Sequence, residues 1–168
     1  MKILYICTHN RCRSILSEAI TNQFTDGKAA GRDDSKAANK IVARSAGSQP
    51  VGEVHPLSIK YLKEAGISTD DLRSQSWDEF EIFAPDLVVT VCDSAAAETC
   101  PVWFGKSLKV HWGLVDPSKL HGTEAQIADA FRATIQQIKQ RVEQLINLNV
   151  DIEDKAAFKT ALVNLGAS

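Results

Sequence analysis

The chain has 168 residues, 44% hydrophobic and 24% charged, the balance of one globular domain and not of a disordered or collagen-like chain. A formal charge of −2 gives no electrostatic reason to expect nucleic acid or an anionic membrane as a partner. No stretch nears the ~20 apolar residues of a spanning helix and the first residues lack a signal-peptide pattern, so the protein reads as cytosolic, with its 4 cysteines in a reducing compartment.

Lys2-Ile3-Leu4-Tyr5-Ile6 is a short apolar run, enough for one buried strand. The stretch Cys7-Thr8-His9-Asn10-Arg11-Cys12-Arg13-Ser14 follows it. From Ile15 to Phe24, apolar positions 15, 16, 19, 20 and 24 repeat at helical spacing. The middle stretch is therefore a strand-to-helix loop, which aims successive backbone N–H groups and the positive end of the helix at one point. A tetrahedral oxyanion suits that point, with Thr8, His9, Asn10, Arg11, Cys12, Arg13 and Ser14 as its lining. Arg13 adds a planar two-pronged clamp, the same field favours a Cys7 thiolate, and Ser14 can donate its hydroxyl to the sulfur. A bare C-x5-R spacing arises often by chance; standing between a strand and a helix is what gives this one weight.

Thr25 to Asn39 is polar, charged and glycine-bearing, and reads as an exposed loop. Lys40 to Gly47 is a second strand closing in a glycine turn, and Ser48 to Val54 is a loop. His55 to Ala65 is a helix with Pro56 in its first turn and Gly66 just past its end. Trp77, Phe80 and Phe83 mark a short helix or turn packed on the body. Asp86 to Cys92 is a buried strand rich in β-branched residues, and it delivers a cysteine at its end. Asp93 to Lys106 reads as a loop whose alanines tolerate a helical turn and whose Pro101 stops Cys100 from continuing it. Leu108 to Trp112 is the last strand, followed by Gly113-Leu114-Val115-Asp116-Pro117. Thr123 to Leu148 is the longest helix, with an apolar stripe through Ile127, Ala130, Phe131, Ile135, Ile138, Val142 and Leu145. Lys155 to Leu165 forms a short last helix.

Strands alternating with helices, and strands without polar alternation, predict a single α/β domain with a parallel sheet covered on both faces. Its core spans residues 1–146, with a helical extension over 147–168. Ligands of such sheets sit outside the carboxyl ends of the strands, where Cys7, Cys92 and Asp116 are all delivered. No metal centre is expected: the cysteines lack C-x2-C spacing, and His9, His55, His111 and His121 do not cluster. His111 reads as packing or as support for its neighbours. Asp116-Pro117 also fits a plain turn, and Cys92 a small apolar strand residue.

The run from Ile6 through Cys7, Asn10, Cys12, Arg13, Ser14 and Glu18 resembles the low-molecular-weight protein tyrosine phosphatases and the arsenate reductases built on the same scaffold. The resemblance continues through Ser45-Ala46-Gly47, the strand to Cys92, and His111-Trp112-Gly113-Leu114-Val115-Asp116-Pro117. It implies a four-stranded parallel sheet of order 2-1-3-4 with helices on both faces. It makes Asp116 the general acid. Cys92 and Cys100-Pro101 resemble the thiol pair of the thioredoxin-linked arsenate reductases, which implies a relay. Cys7 attacks arsenate, Cys92 attacks Cys7, and Cys100 attacks Cys92. The Asp93 to Gly105 region should then be mobile. Phosphate or sulfate would bind as analogues, and no tightly bound cofactor is implied. The reductant is an external thiol system, thioredoxin or glutathione with glutaredoxin. The alternatives are a tyrosine or aryl phosphatase using Cys7, Arg13 and Asp116, and a non-catalytic oxyanion or redox sensor.

By the same resemblance, Asn10, Glu18 and Ser45 match positions that form a potassium site in some arsenate reductases. Cys12 matches a loop cysteine that can pair with the nucleophile under oxidation. This chain departs from the pattern at His9, where glycine is usual and an unfavourable backbone angle is therefore expected. Ile15 replaces a usual proline, and the 26–39 insert is long.

Overall fold

A computed structural model describes residues 1–25 and 40–168; the insert at 26–39 lies outside the described residues. Strands β1 (Lys2–Cys7), β2 (Val42–Gly47), β3 (Leu87–Thr90) and β4 (Leu108–His111) form one parallel sheet in the order β2-β1-β3-β4. Every residue from Ile3 to Cys7 is buried, so β1 has no face it can show to water and must be covered on both sides. Among the described residues five α-helices do the covering: α1 (Arg13–Thr25), α2 (Pro56–Glu64), α3 (Asp93–Ala97), α4 (Glu124–Ile146) and α5 (Lys155–Gly166). Among the described residues no helix is long and apolar enough to cross a membrane.

Local chemistry explains where the helices begin and end. Thr123 and Gln126 form a reciprocal capping box that opens α4, and Gly66, at φ 73°, follows the end of α2. Of the predicted α4 stripe, Phe131, Ile135, Ile138, Val142 and Leu145 are buried, while Ile127 and Ala130 in the first turns are only half-buried. One buried charged residue stands beside the stripe. The Arg141 guanidinium donates to the carbonyls of Trp112 (3.2 Å), Gly113 (3.3 Å), Gly166 (3.1 Å) and Ser168 (3.0 Å). One side chain therefore ties α4 to the segment after β4 and to the end of α5.

The extension over 147–168 is woven into this core. Phe158, Leu162 and Leu165 of α5 are buried with the rest, and the Trp112 indole donates to the Leu162 carbonyl at 2.8 Å. The packing there is close. A Cβ on Gly166 would lie 2.5 Å from a Trp112 ring carbon.

Candidate active site

β1 ends at Cys7 and α1 begins at Arg13, and neighbouring segments pull the loop between them outward by its carbonyls. Thr8 O accepts from Gln49 N (2.8 Å), His9 O from Val51 N (3.3 Å) and Ser74 Oγ (3.1 Å), and Arg11 O from His55 N (3.0 Å). A trans peptide sets N–H antiparallel to C=O, and no peptide bond here is cis. The N–H groups of His9, Asn10 and Cys12 therefore point the other way, into the loop. The expected awkward backbone angle falls not on His9 but on Asn10, at φ 48°, a residue type that tolerates the left-handed region. Gly47 lets the end of β2 abut the loop, because a Cβ there would lie 2.5 Å from Thr8 O.

A buried hydrogen-bond chain runs behind the loop. Cys7 Sγ lies 2.9 Å from Ser14 Oγ. Asn10 Nδ2 donates to Ser14 Oγ (2.8 Å) and to Ser45 Oγ (3.0 Å), and Ser45 Oγ donates to Glu18 Oε2 (2.6 Å). Gln75 N donates to Asn10 Oδ1 at 2.8 Å, which fixes the amide's orientation and hence the polarity of the chain. Both hydroxyls accept from the one amide, so Ser14 directs its own proton to the sulfur and Ser45 directs its proton to Glu18. Burial pushes the Glu18 carboxyl up from 4.5 to about 7, against the lowering effect of the Ser45 hydrogen bond and of Arg44 and Arg73.

The potassium site implied by resemblance does not fit this arrangement. A potassium ion needs converging lone pairs, yet Asn10 turns its NH2 toward Ser45, and its oxygen is taken by Gln75. The facing Ser45 hydroxyl already bonds Glu18. No cluster of three His, Cys, Asp or Glu able to hold a metal is present among the described residues.

Arg13 and Asp116 meet at the mouth. Arg13 Nη2 lies 3.3 Å from Asp116 Oδ2, and Nη1 donates to Leu114 O at 3.1 Å. The two carboxylate oxygens of Asp116 make different contacts. Oδ1 accepts from Ser118 N (3.0 Å) and Ser118 Oγ (2.6 Å), capping the 3-10 turn Pro117–Lys119, while Oδ2 faces the clamp.

The second thiol stands at the loop's edge. β3 stops at Thr90, short of the predicted Cys92, because Cys92 serves as N-cap of α3 and its sulfur accepts from Ala95 N at 3.4 Å. Asp93 to Lys106, read as loop, contains α3 and a 3-10 turn over Val102–Lys106. Cys92 Sγ lies 3.8 Å from Thr8 Oγ1, which also donates to Glu98 at 3.3 Å. Cys100 is half-buried, and among the described residues no hydrogen bond joins it to Cys7 or Cys92. All four cysteines are free thiols. Burial first, then the nearby Asp116 and Cys7, push the Cys12 thiol up to about 12, while a Ser58 hydrogen bond pulls it down. Burial therefore disfavours the Cys12 thiolate.

Several contributors were not singled out from the sequence. His55 caps α2 through Nδ1 (3.1 Å to Leu57 N), and burial followed by Arg11 holds its pKa below the usual value. Gln75 fixes Asn10, and Glu98 holds Thr8. His111, read as packing or support, bridges Thr90 and Asp93; the packed residue is its neighbour Trp112. A histidine before Pro56 was the one sequence signal available for the α2 cap.

The sequence model of the family described as "Low molecular weight phosphotyrosine protein phosphatase" matches residues 2–156. "Arsenate reductase 1" of Staphylococcus epidermidis is 36% identical over 141 residues, 83% of this chain and 96% of that one. "Glutaredoxin arsenate reductase" of Synechocystis sp. is 29% identical over 145 residues, 86% of this chain and 95% of that one. A solved structure described as "An arsenate reductase in the phosphate binding state" superposes with TM-score 0.65 at 28% identity, covering 86% of this chain and 95% of that one.

Proposed function

The chain belongs to the low molecular weight phosphotyrosine protein phosphatase family, and within it we propose that the protein reduces arsenate to arsenite by a relay through Cys7, Cys92 and Cys100. One observation carries the choice of chemistry: a second thiol, Cys92, lies 3.8 Å from the Thr8 hydroxyl of the oxyanion loop. A hydrolase of this fold needs one cysteine and water. A reductase needs a thiol to attack the Cys7–arsenic adduct, and Cys92 is the candidate within the chain.

Arsenate enters the loop and draws the Arg13 guanidinium from Asp116 onto its oxygens. Cys7 thiolate, donated to by Ser14, attacks arsenic. Asp116, ion-paired with Arg13 and so without a proton of its own, takes up a proton that the arsenate monoanion brings in and passes it to the departing hydroxyl, which leaves as water. Cys92 thiolate then attacks the Cys7 sulfur. The Cys7–arsenic bond breaks with its electron pair on arsenic, so arsenic(V) leaves as arsenite and the two thiols become a disulfide. Cys100 thiolate attacks Cys92, Cys7 leaves as thiolate, and a Cys92–Cys100 disulfide remains for an external dithiol. Thioredoxin and glutathione with glutaredoxin are the candidate donors; the Synechocystis relative's name points to the second. Phosphate and sulfate occupy the loop as analogues, and no tightly bound cofactor takes part.

The test is arsenite production from arsenate with each donor system in parallel. Multiple turnovers with either one support the reading and identify the partner. Hydrolysis of p-nitrophenyl phosphate with no arsenite in any system would replace it with a phosphatase.

A further inference from the structure

His111 and Asp93 lie outside the oxyanion loop, and the relay as described does not use them. Thr90 ends β3 and pairs in register with His111 of β4. His111 Nδ1 lies 2.9 Å from Thr90 Oγ1, and Nε2 lies 3.0 Å from Asp93 Oδ1, the first residue of α3. One imidazole thus spans the two residues that flank Val91-Cys92, closing a short bridge over the segment that carries the second thiol. Either protonation state of the ring makes both bonds: the neutral form accepts from Thr90, and the charged form donates to it while Thr90 turns its own proton to Val110 O at 3.5 Å. Gly113 leaves the space, since a Cβ there would lie 3.0 Å from Nε2 and 3.7 Å from Asp93 Oδ1.

We propose that His111, through Asp93, is a positioning residue for the second thiol step, holding the start of α3 so that Cys92 stays at the loop's edge until Cys7 carries arsenic. The inference rests on the arsenate-reductase reading. The step it serves is the one in which the Cys7–arsenic bond breaks, its electron pair reduces arsenic, and the Cys7–Cys92 disulfide forms. The two ends of the bridge differ in a way that fits this use. Thr90 is held in the sheet, whereas the Asp93 side chain is 98% exposed, so the Asp93 end can release when Cys92 later turns to Cys100. Position controls a thiol exchange steeply, because the attacking sulfur must reach a near-attack geometry.

The test is a single turnover of the reduced full-length protein with arsenate, quenched in acid and mapped for the Cys7–Cys92 disulfide by mass spectrometry. Alkylation of Cys7 by iodoacetamide reports the loop separately. His111→Ala and Asp93→Ala should each slow disulfide formation by roughly five-fold, the scale of an exposed charged pair, with Cys7 alkylation unchanged. The double variant should be no slower than either single one, and Asp93→Asn, which keeps an acceptor for Nε2, should restore the rate. Because Asp93 is on the surface, its truncation leaves the fold intact. Unchanged disulfide rates in both alanine variants, or a matching fall in Cys7 alkylation, overturn the inference while wild-type turnover stands. A wild-type protein that yields neither arsenite nor the disulfide overturns the reductase reading and the inference together.

Discussion

Arg13 and Asp116 hold each other at 3.3 Å with side chains only 17% and 15% exposed, so the two charges neutralise one another. An incoming oxyanion has to displace Asp116 Oδ2 from the guanidinium. The same displacement frees that oxygen to move a proton. In the proposed mechanism, oxyanion binding and proton transfer are therefore coupled through this one ion pair.

Asp116→Asn separates the two. It removes the competing charge, so phosphate should inhibit at concentrations about five-fold lower, while turnover falls by about 10²-fold or more with the acid gone. Inhibition constants and kcat measured on one preparation check this. Weaker phosphate binding would mean that Asp116 orients Arg13 and does not compete for it.

Ser14→Ala removes the only hydroxyl among the described residues placed on the Cys7 sulfur, and it leaves one Asn10 N–H without its acceptor. An unmade buried hydrogen bond costs about 1–3 kcal/mol. Cys7 alkylation near neutral pH should slow roughly tenfold, and the thermal midpoint should drop. Unaltered alkylation would show that the backbone cradle alone governs the sulfur.

Glu18 predicts a pH slope in stability. Its carboxyl titrates near 7 in the folded protein and at 4.5 when free, so between those values the folded state holds the extra proton. The slope is therefore negative: this group's contribution is full below pH 4.5 and is lost as pH rises through 7, a swing of up to about 3 kcal/mol. Glu18→Gln should flatten the denaturation midpoint between pH 5 and pH 8. A parallel slope in the variant would assign the effect to other groups.

Gly47→Ala drives a Cβ to 2.5 Å from the Thr8 carbonyl oxygen, and backbone on both sides cannot yield cheaply. The loop should shift while the sheet persists. KM for the oxyanion should rise at least tenfold with the circular-dichroism spectrum unchanged, since small displacements of a positioned site are costly. A normal KM would show that the loop adapts.

The strands, the loop and the site's edge were legible because they depend on local pattern. Ile3 to Ile6 is apolar without alternation, and Cys7 to Arg13 falls between a strand and a helix. The strand order came from resemblance and not from periodicity, and the sheet bears it out as β2-β1-β3-β4. What escaped the sequence is tertiary. Asn10 and not His9 carries the positive φ, because Gln75, Ser45 and Ser14 over-determine that residue from three directions. β3 ends early because a thiol can cap a helix, a use of cysteine with no periodic trace. Arg141 stands beside an apolar stripe, and only the folded chain supplies the carbonyls that justify it.

If Cys7, Cys92 and Cys100 act in that order, Cys100→Ser must interrupt the cycle after its first reduction. With arsenate and excess reductant, the variant should release one arsenite per protein and then stall with a Cys7–Cys92 disulfide trapped between the mapped peptides. Sustained turnover by this variant at the wild-type rate, with thioredoxin and its reductase, would contradict the relay.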